Sequence, residues 1–399
     1  MNCQPRPFRS TTHRVRTRRG VLWLGQTCNL RCQFCYFLDR VKAKDHPEHP
    51  FMSLDKAKAI CSALVDVYGN RAIDIQGGEP TIFPEIGELC RHCRDIGLLP
   101  TLITNALVLH RRDACRALKE AGVRDLLISV HGMGEAYERV VGVPGSHAKQ
   151  MQALEHLVAE GIPFRFNTVL AKSVLPDLAR ITDLAIETGA RVVNFIAFNP
   201  FEDQQKKQRS LDNVPRYTEV RAPLMAAFER LENAGLECNV RYLPFCMVDE
   251  RFRKNVYNFQ QLPYDLHEWD YASWSWTGQT EQRRRAGDPT PTLTLREANT
   301  RSRLFGRPGY LADPSVTEDE EYRHSALIRA QEHCQYAYAP QCAACSLQPV
   351  CDGFHGDYAQ LFGPEEATPV ELGGRVDDAL HYARSQTKIV ECEDYDWAM

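Results

Sequence analysis

The chain has 399 residues, 43% of them hydrophobic, and a formal net charge of -4. That length accommodates one large soluble domain plus an extension, and the near-neutral balance gives no global basic field, so nucleic acid is not an implied partner. No apolar run approaches the roughly twenty residues that span a bilayer, so no membrane association is expected.

Residues 1–19 are basic and lack the apolar stretch of a signal peptide, so they read as a flexible arm and the expected compartment is the cytoplasm. Fifteen cysteines are many for such a chain, and in a reducing compartment clustered cysteines are more often metal-binding or catalytic than disulfide-bonded. Cys28, Cys32 and Cys35 form one group; Cys334, Cys342, Cys345 and Cys351 form another. Cys61, Cys90, Cys93, Cys115 and Cys238 fall in ordinary helix or strand patterns and read as small buried hydrophobes.

In chain order, Val21–Leu24 is a short strand feeding the loop Cys28-Asn29-Leu30-Arg31-Cys32-Gln33-Phe34-Cys35-Tyr36. Three thiolates at that spacing suit the corner of a cubane iron–sulfur cluster and leave one iron open. Tetrahedral zinc is the alternative, but it needs a fourth ligand, and His46 and His49 lie in a proline-bound extended run. Ser53 then caps a helix that ends at Gly69, and the strand Ala72–Ile75 runs into Gly77-Gly78-Glu79-Pro80. A helix from 84 to 96 precedes the strand LPTLIT, which ends at Thr104-Asn105. Strands 125–131, 164–170 and 190–198 follow, each after a helix. Six strands alternating with helices mark a parallel α/β sheet, and ligand sites in such sheets lie at the C-terminal strand ends. The cysteine loop, GGEP and Thr104-Asn105 all sit there, so they read as one site.

Beyond Pro200 come a charged stretch from Asp203, a helix over 217–235 and a strand over 236–243. Next is an aromatic-rich segment with Tyr257, Phe259, Tyr264, Trp269, Tyr271, Trp274 and Trp276, expected to be a cap that walls a pocket. Residues 283–321 read as a linker, and the acidic tail is uninformative. The expected division is 1–19 arm, 20–200 core, 201–330 cap and linker, and 331–399 cysteine-rich extension.

The Cys28, Cys32, Cys35 spacing, with an aromatic before the third cysteine, resembles the signature of the radical S-adenosylmethionine (SAM) enzymes. GGEP resembles that family's motif whose backbone holds the methionine amino group of SAM. Thr104-Asn105 resembles its Thr-Asn-Gly, with Ala106 in place of the glycine. The resemblance implies a partial (β/α)6 TIM-like barrel and a [4Fe-4S] cluster on Cys28, Cys32 and Cys35. It also implies SAM at the open iron against Phe34, Gly77, Gly78, Glu79, Pro80, Asn105, Ser129 and Asn167, with weaker candidates at Asn194 and Asn199. A reducing donor such as flavodoxin or ferredoxin is implied as partner. No catalytic side chain beyond the cluster is assigned.

The Cys342, Cys345, Cys351 spacing resembles the SPASM and twitch extensions, which hold auxiliary four-iron clusters. His355 stands where the full SPASM pattern has a further cysteine, which favours one auxiliary cluster on Cys334, Cys342, Cys345 and Cys351, with Cys246 in reserve; a zinc knuckle is the alternative. The implied activity is reductive cleavage of SAM and hydrogen abstraction, leading to oxidation, epimerisation or cross-linking. A small polar metabolite, a sugar or aminocyclitol, is the favoured substrate. The alternative is a ribosomally made peptide, disfavoured because about twenty residues before the first strand are too few for a leader-binding domain. A non-enzymatic zinc or iron–sulfur scaffold is the contrasting class.

Overall fold

The computed structural model describes residues 9–10, 17–36, 38–44, 49–66, 70–200, 204, 210–261, 264–265 and 334–388. The expectations for Trp269, Tyr271, Trp274, Trp276, the 283–321 linker and the acidic tail lie outside the described residues.

Seven parallel strands stand in sequential order: β1 (Thr17–Trp23), β2 (Ala72–Gln76), β3 (Leu99–Thr104), β4 (Asp125–Ser129), β5 (Phe164–Leu170), β6 (Val192–Ala197) and β7 (Glu237–Arg241). A two-residue strand, Tyr264–Asp265, continues the sheet past β1. The crossovers carry α1 (Leu38–Ala43), α2 (Leu54–Asp66), α3 (Ile86–Asp95), α4 (Arg112–Ala121), α5 (Gly134–Val141), α6 (Ser146–Glu160), α7 (Leu178–Thr188) and α8 (Tyr217–Asn233). Strands ordered as in the sequence, each joined by a helix, make the wall of a partial barrel. The sheet reaches Arg241 because α8 returns the chain for β7, one strand more than the expected six and past the expected core end at 200. Helix α5 has no counterpart in the sequence reading.

Alternation along the strands sorts the two faces. Thr168 and Phe195 share a register position, and Phe195 meets Phe228 of α8 with ring centroids 5.9 Å apart, so this face looks to the helices. Asn167 and Asn194, one position earlier, therefore look into the barrel. The five cysteines expected in the core are all buried: Cys61, Cys90, Cys93, Cys115 and Cys238. Tyr257 and Phe259, expected in a pocket-lining cap, are buried as well. The Phe259 amide donates to Asp352 Oδ2 at 2.7 Å and Gln260 Nε2 to Asp352 Oδ1 at 3.0 Å, tying the exit from β7 to the C-terminal segment 334–388. No helix among the described residues is long and apolar enough to cross a membrane.

The opposite end of the barrel is closed by charge. Asp125, fully buried at the start of β4, takes Arg165 Nε at 3.0 Å, Arg124 Nη2 at 3.4 Å and the Thr101 hydroxyl at 2.5 Å, with Arg191 3.9 Å away. Removing one partner of a buried ion cluster strands the others in low dielectric. Asp125→Ala is accordingly expected to cost about 3–5 kcal/mol, read as a fall in the urea midpoint.

Candidate functional site

The cysteine loop leaves β1 at the C-terminal end of the sheet and is held from three sides. The amides of Arg31 and Gln33 donate to the carbonyls of Val141 (2.8 Å) and Val140 (2.9 Å) at the end of α5, and Gln33 Nε2 donates to Arg139 O at 3.0 Å. Ser210 Oγ donates to Gln33 O, and Gln204 Nε2 to Phe34 O at 3.1 Å. Helix α5 is thus the part of the site that sequence reasoning missed; its signal was Tyr137, Val140 and Val141 at helical spacing before Gly142.

The three thiols sense one another. Burial raises the Cys28 thiol to about 12, helped by Glu79 and Cys35. The Cys32 thiol is also raised well above its ordinary value, by burial and then by Cys35 and Cys28. Left without a metal these thiols stay neutral; a cation is what makes thiolate ligands of them. Among the described residues no three His, Cys, Asp or Glu side chains form a cage for one metal ion, and a cubane takes its thiolates at wider separation than one zinc does. Three half-buried thiols on one loop are the donor set that a cluster corner needs, so Cys28, Cys32 and Cys35 fit the implied group.

Glu79 knots the site together. Its Oε1 accepts from the Thr81 amide (3.0 Å), the Thr81 hydroxyl (2.6 Å) and the Thr104 hydroxyl (2.6 Å), and its Oε2 accepts from the Asn105 amide (2.7 Å). Burial pushes its pKa up, and these four hydrogen bonds pull against that rise. Asn105 Nδ2 in turn donates to Asn29 Oδ1 at 2.7 Å in the cysteine loop, and Asn105 Oδ1 accepts from the Leu107 amide at 3.0 Å. Glu79 and Asn105, expected as cofactor contacts, therefore spend these groups on positioning the loop. Gln150, fully buried on α6, bridges the ends of β3 and β4 by donating to Asn105 O (3.0 Å) and Ser129 O (2.9 Å). It was not singled out because a glutamine within an amphipathic helix reads as solvent-facing.

The two glycines have a reason inside the fold. A Cβ on Gly78 would sit 2.1 Å from Thr27 O, and one on Gly77 (φ +146) 2.5 Å from Gly25 O. The Gly78 and Glu79 amides pair with Gly25 O and Thr27 O, both at 2.9 Å. Close approach at these two positions is to the start of the cysteine loop. Ala106 occupies a left-handed conformation (φ 63), which explains why a glycine suits that position. Pro80 opens a one-turn 3-10 helix behind the glycines.

Register lines up Ser129, Asn167, Asn194 and Asn239 across β4 to β7, and Asn239 Nδ2 donates to Asn194 Oδ1 at 2.6 Å. Asn199 stands apart, its Oδ1 occupied by the Tyr217 hydroxyl at 2.7 Å. Phe34 is buried, edge-on to His131 at 4.6 Å between centroids. His131 Nδ1 accepts from the Val169 amide at 3.3 Å, and burial lowers its pKa to about 3.

Cys246, the reserve ligand of the sequence analysis, lies close to the second cysteine group. Cys342 and Cys345 are electrostatically coupled, and both act on Cys246; Cys246 also acts on Cys351. Cys334 lies beside Tyr336. Its carbonyl accepts from the Gly356 amide at 3.0 Å. His355 is the N-cap of α9 (Gly356–Phe362): Nδ1 accepts from the Asp357 amide at 3.3 Å, and the ring packs on Tyr336 and Tyr242 at 5.1 and 5.7 Å.

Residues 24–185 match the sequence model of the Radical SAM superfamily. The AdoMet-dependent heme synthase of Oleidesulfovibrio alaskensis is 31% identical over 174 residues, 43% of each chain. The PqqA peptide cyclase of Rhodopseudomonas palustris is 32% identical over 174 residues, 43% of this chain and 44% of the relative. The chain thus spans less than half the length of these two relatives. Among solved structures, Streptococcus suis SuiB bound to precursor peptide SuiA aligns with a TM-score of 0.47 at 16% identity, covering 56% of this chain and 49% of that one.

Glu79→Gln turns one acceptor oxygen into a donor facing N–H and O–H groups, and a buried polar clash of that kind costs about 1–3 kcal/mol. The thermal midpoint of metal-free protein should fall accordingly. His355 supplies a pH test. Burial lowers its pKa from 6.5 to about 4, so its contribution is complete above 6.5 and is lost as pH falls towards 4, where the unfolded chain takes up the proton first. Metal-free His355→Asn keeps an N-cap and should show a shallower loss of urea midpoint between about pH 7 and about pH 4.5.

Proposed function

Residues 24–185 are a radical SAM domain, and from that premise we propose that the chain is a radical SAM enzyme acting on a ribosomally made peptide. The observation that carries the enzyme reading is the three-thiol loop, buttressed from β2 and β3 by the Glu79 knot. Cys28, Cys32 and Cys35 would hold a [4Fe-4S] cluster. Phe34, the Gly77–Pro80 turn, Ser129 and Asn167 would border SAM. When bound, SAM at that cluster supplies the 5′-deoxyadenosyl radical that abstracts a substrate hydrogen atom.

The chain's own residues do the rest: they fix the loop, wall the barrel and exclude water. Cysteines of the C-terminal segment would hold an auxiliary cluster, which would supply an acceptor for the electron that net oxidation or cross-linking of the substrate releases, the accompanying proton going to solvent. Flavodoxin or ferredoxin would feed the first electron. Two features support a peptide over the sugar or aminocyclitol favoured from sequence. The PqqA peptide cyclase is named for a peptide, and the carboxamides of Asn194 and Asn239 offer the donor and acceptor that peptide bonds match.

Anaerobically reconstituted protein with dithionite and SAM should release 5′-deoxyadenosine, and Cys32→Ala should abolish that release while leaving the far-UV spectrum intact. Release that survives in Cys32→Ala would remove the central assignment. For the substrate, a precursor peptide encoded beside the gene should lose the mass of two hydrogens per modification, seen by mass spectrometry; an unchanged peptide alongside steady 5′-deoxyadenosine release would point back to a small metabolite.

A further inference from the structure

After β7 the chain crosses beneath the C-terminal segment in a single turn, Phe245–Met247, which carries Cys246. The Phe245 and Gly353 amides lie near the Cys351 sulfur, and the Thr368 amide near the Cys246 sulfur. Two residues on, the Val370 amide donates to Cys345 Sγ at 3.3 Å, while the Ser346 amide returns to Val370 O at 2.8 Å. Cys342 and Cys345 are joined by the turn in which the Cys345 amide donates to Cys342 O at 3.0 Å. All four sulfurs lie half-buried against the core. One backbone amide donating to Cys345 Sγ and others close to Cys246 and Cys351 are an environment that stabilises thiolates bound to iron.

Cys334 lies elsewhere. Ala337 and Phe354 form an antiparallel bridge, and the Cys334 carbonyl pairs with the Gly356 amide. In an antiparallel pair the partners run apart, so Cys334 stands at the Gly356 end and Cys351 towards the other.

We propose that Cys246, Cys342, Cys345 and Cys351 are the four ligands of the auxiliary [4Fe-4S] cluster and that Cys334 is not a ligand. The assignment rests on the enzyme reading above for the nature of the cluster, and on the fold alone for its ligands. Four thiolates leave no iron open, so this centre carries electrons and does not bind substrate. It also staples the exit of β7 to the C-terminal segment, because Cys246 and the other three come from distant stretches of chain.

The test removes the first cluster by changing Cys28, Cys32 and Cys35 to Ala together. Reconstituted, that variant should hold about four irons per chain. Adding Cys246→Ser should lower the iron content or change the electron paramagnetic resonance signal of the reduced protein; adding Cys334→Ser should do neither. The reverse pattern overturns the assignment. A triple variant that takes up zinc and no iron overturns the cluster itself, and so strikes the reading rather than the choice of ligand. A second measurement needs no substitution: full-chain wild type is alkylated with iodoacetamide before and after cluster loading. Mass spectrometry should show Cys246 protected by loading and Cys334 equally labelled in both states. Protection of Cys334 with Cys246 unchanged would overturn the proposal even if Cys246→Ser fails to fold.

Discussion

One buried carboxylate sets the geometry of the site. Removing a carboxylate from water costs several kcal/mol, and hydrogen bonds to a charged group return about 1.5–3 kcal/mol each. Glu79 collects four, two from the turn it caps and two from the end of β3. None of these donors can move without leaving charge unpaired in the interior. Because Asn105 is one of them and its side chain grips Asn29, the constraint reaches the cysteine loop. Gln150 extends it from β3 to β4. The loop that bears three ligands therefore has its place dictated by a residue that need not touch iron.

Much of this was legible before the fold was known, and the misses have physical causes. Hydrophobic alternation located the first six strands, since half-buried strands advertise two faces, and the ends of those strands named the loops that matter. The short helix α5 escaped because eight residues between two recognised elements look like a connection. Its terminal carbonyls nevertheless receive the cysteine loop. Gly77 and Gly78 were recognised as sites of close approach, but sequence cannot say what approaches; here it is the carbonyls of Gly25 and Thr27. Spacing also favoured Cys334 over Cys246, the ligand we propose in its place, because a motif search rewards proximity along the chain. The turn after β7 delivers Cys246 from nearly a hundred residues before Cys342.

The two ends of the barrel divide stability from chemistry. At the start of β4 an ionic plug joins Asp125 to Arg165, Arg124 and Thr101, with Arg191 close by, and locks four neighbouring strands by charge. Further along the strands the inward positions carry Ser129, Asn167, Asn194 and Asn239, with Arg241 two residues on along the same face of β7. Carboxamides and a hydroxyl can orient a substrate by hydrogen bonds without imposing a field on a neutral radical or drawing protons to it.

Those inward positions also bear on how the two cysteine groups share the work. A loop that supplies three thiolates leaves one valence for a ligand, and its burial between α5 and the Glu79 turn limits what can reach it. On the proposed assignment the second group supplies four, so nothing can bind to its iron directly. Substrate recognition then falls to the barrel wall between them, where β6 and β7 carry the Asn194–Asn239 pair. Strand β7 is the one that leads into the Cys246 turn. On the proposed reading β7 therefore joins the Asn194–Asn239 pair directly to the turn that carries Cys246.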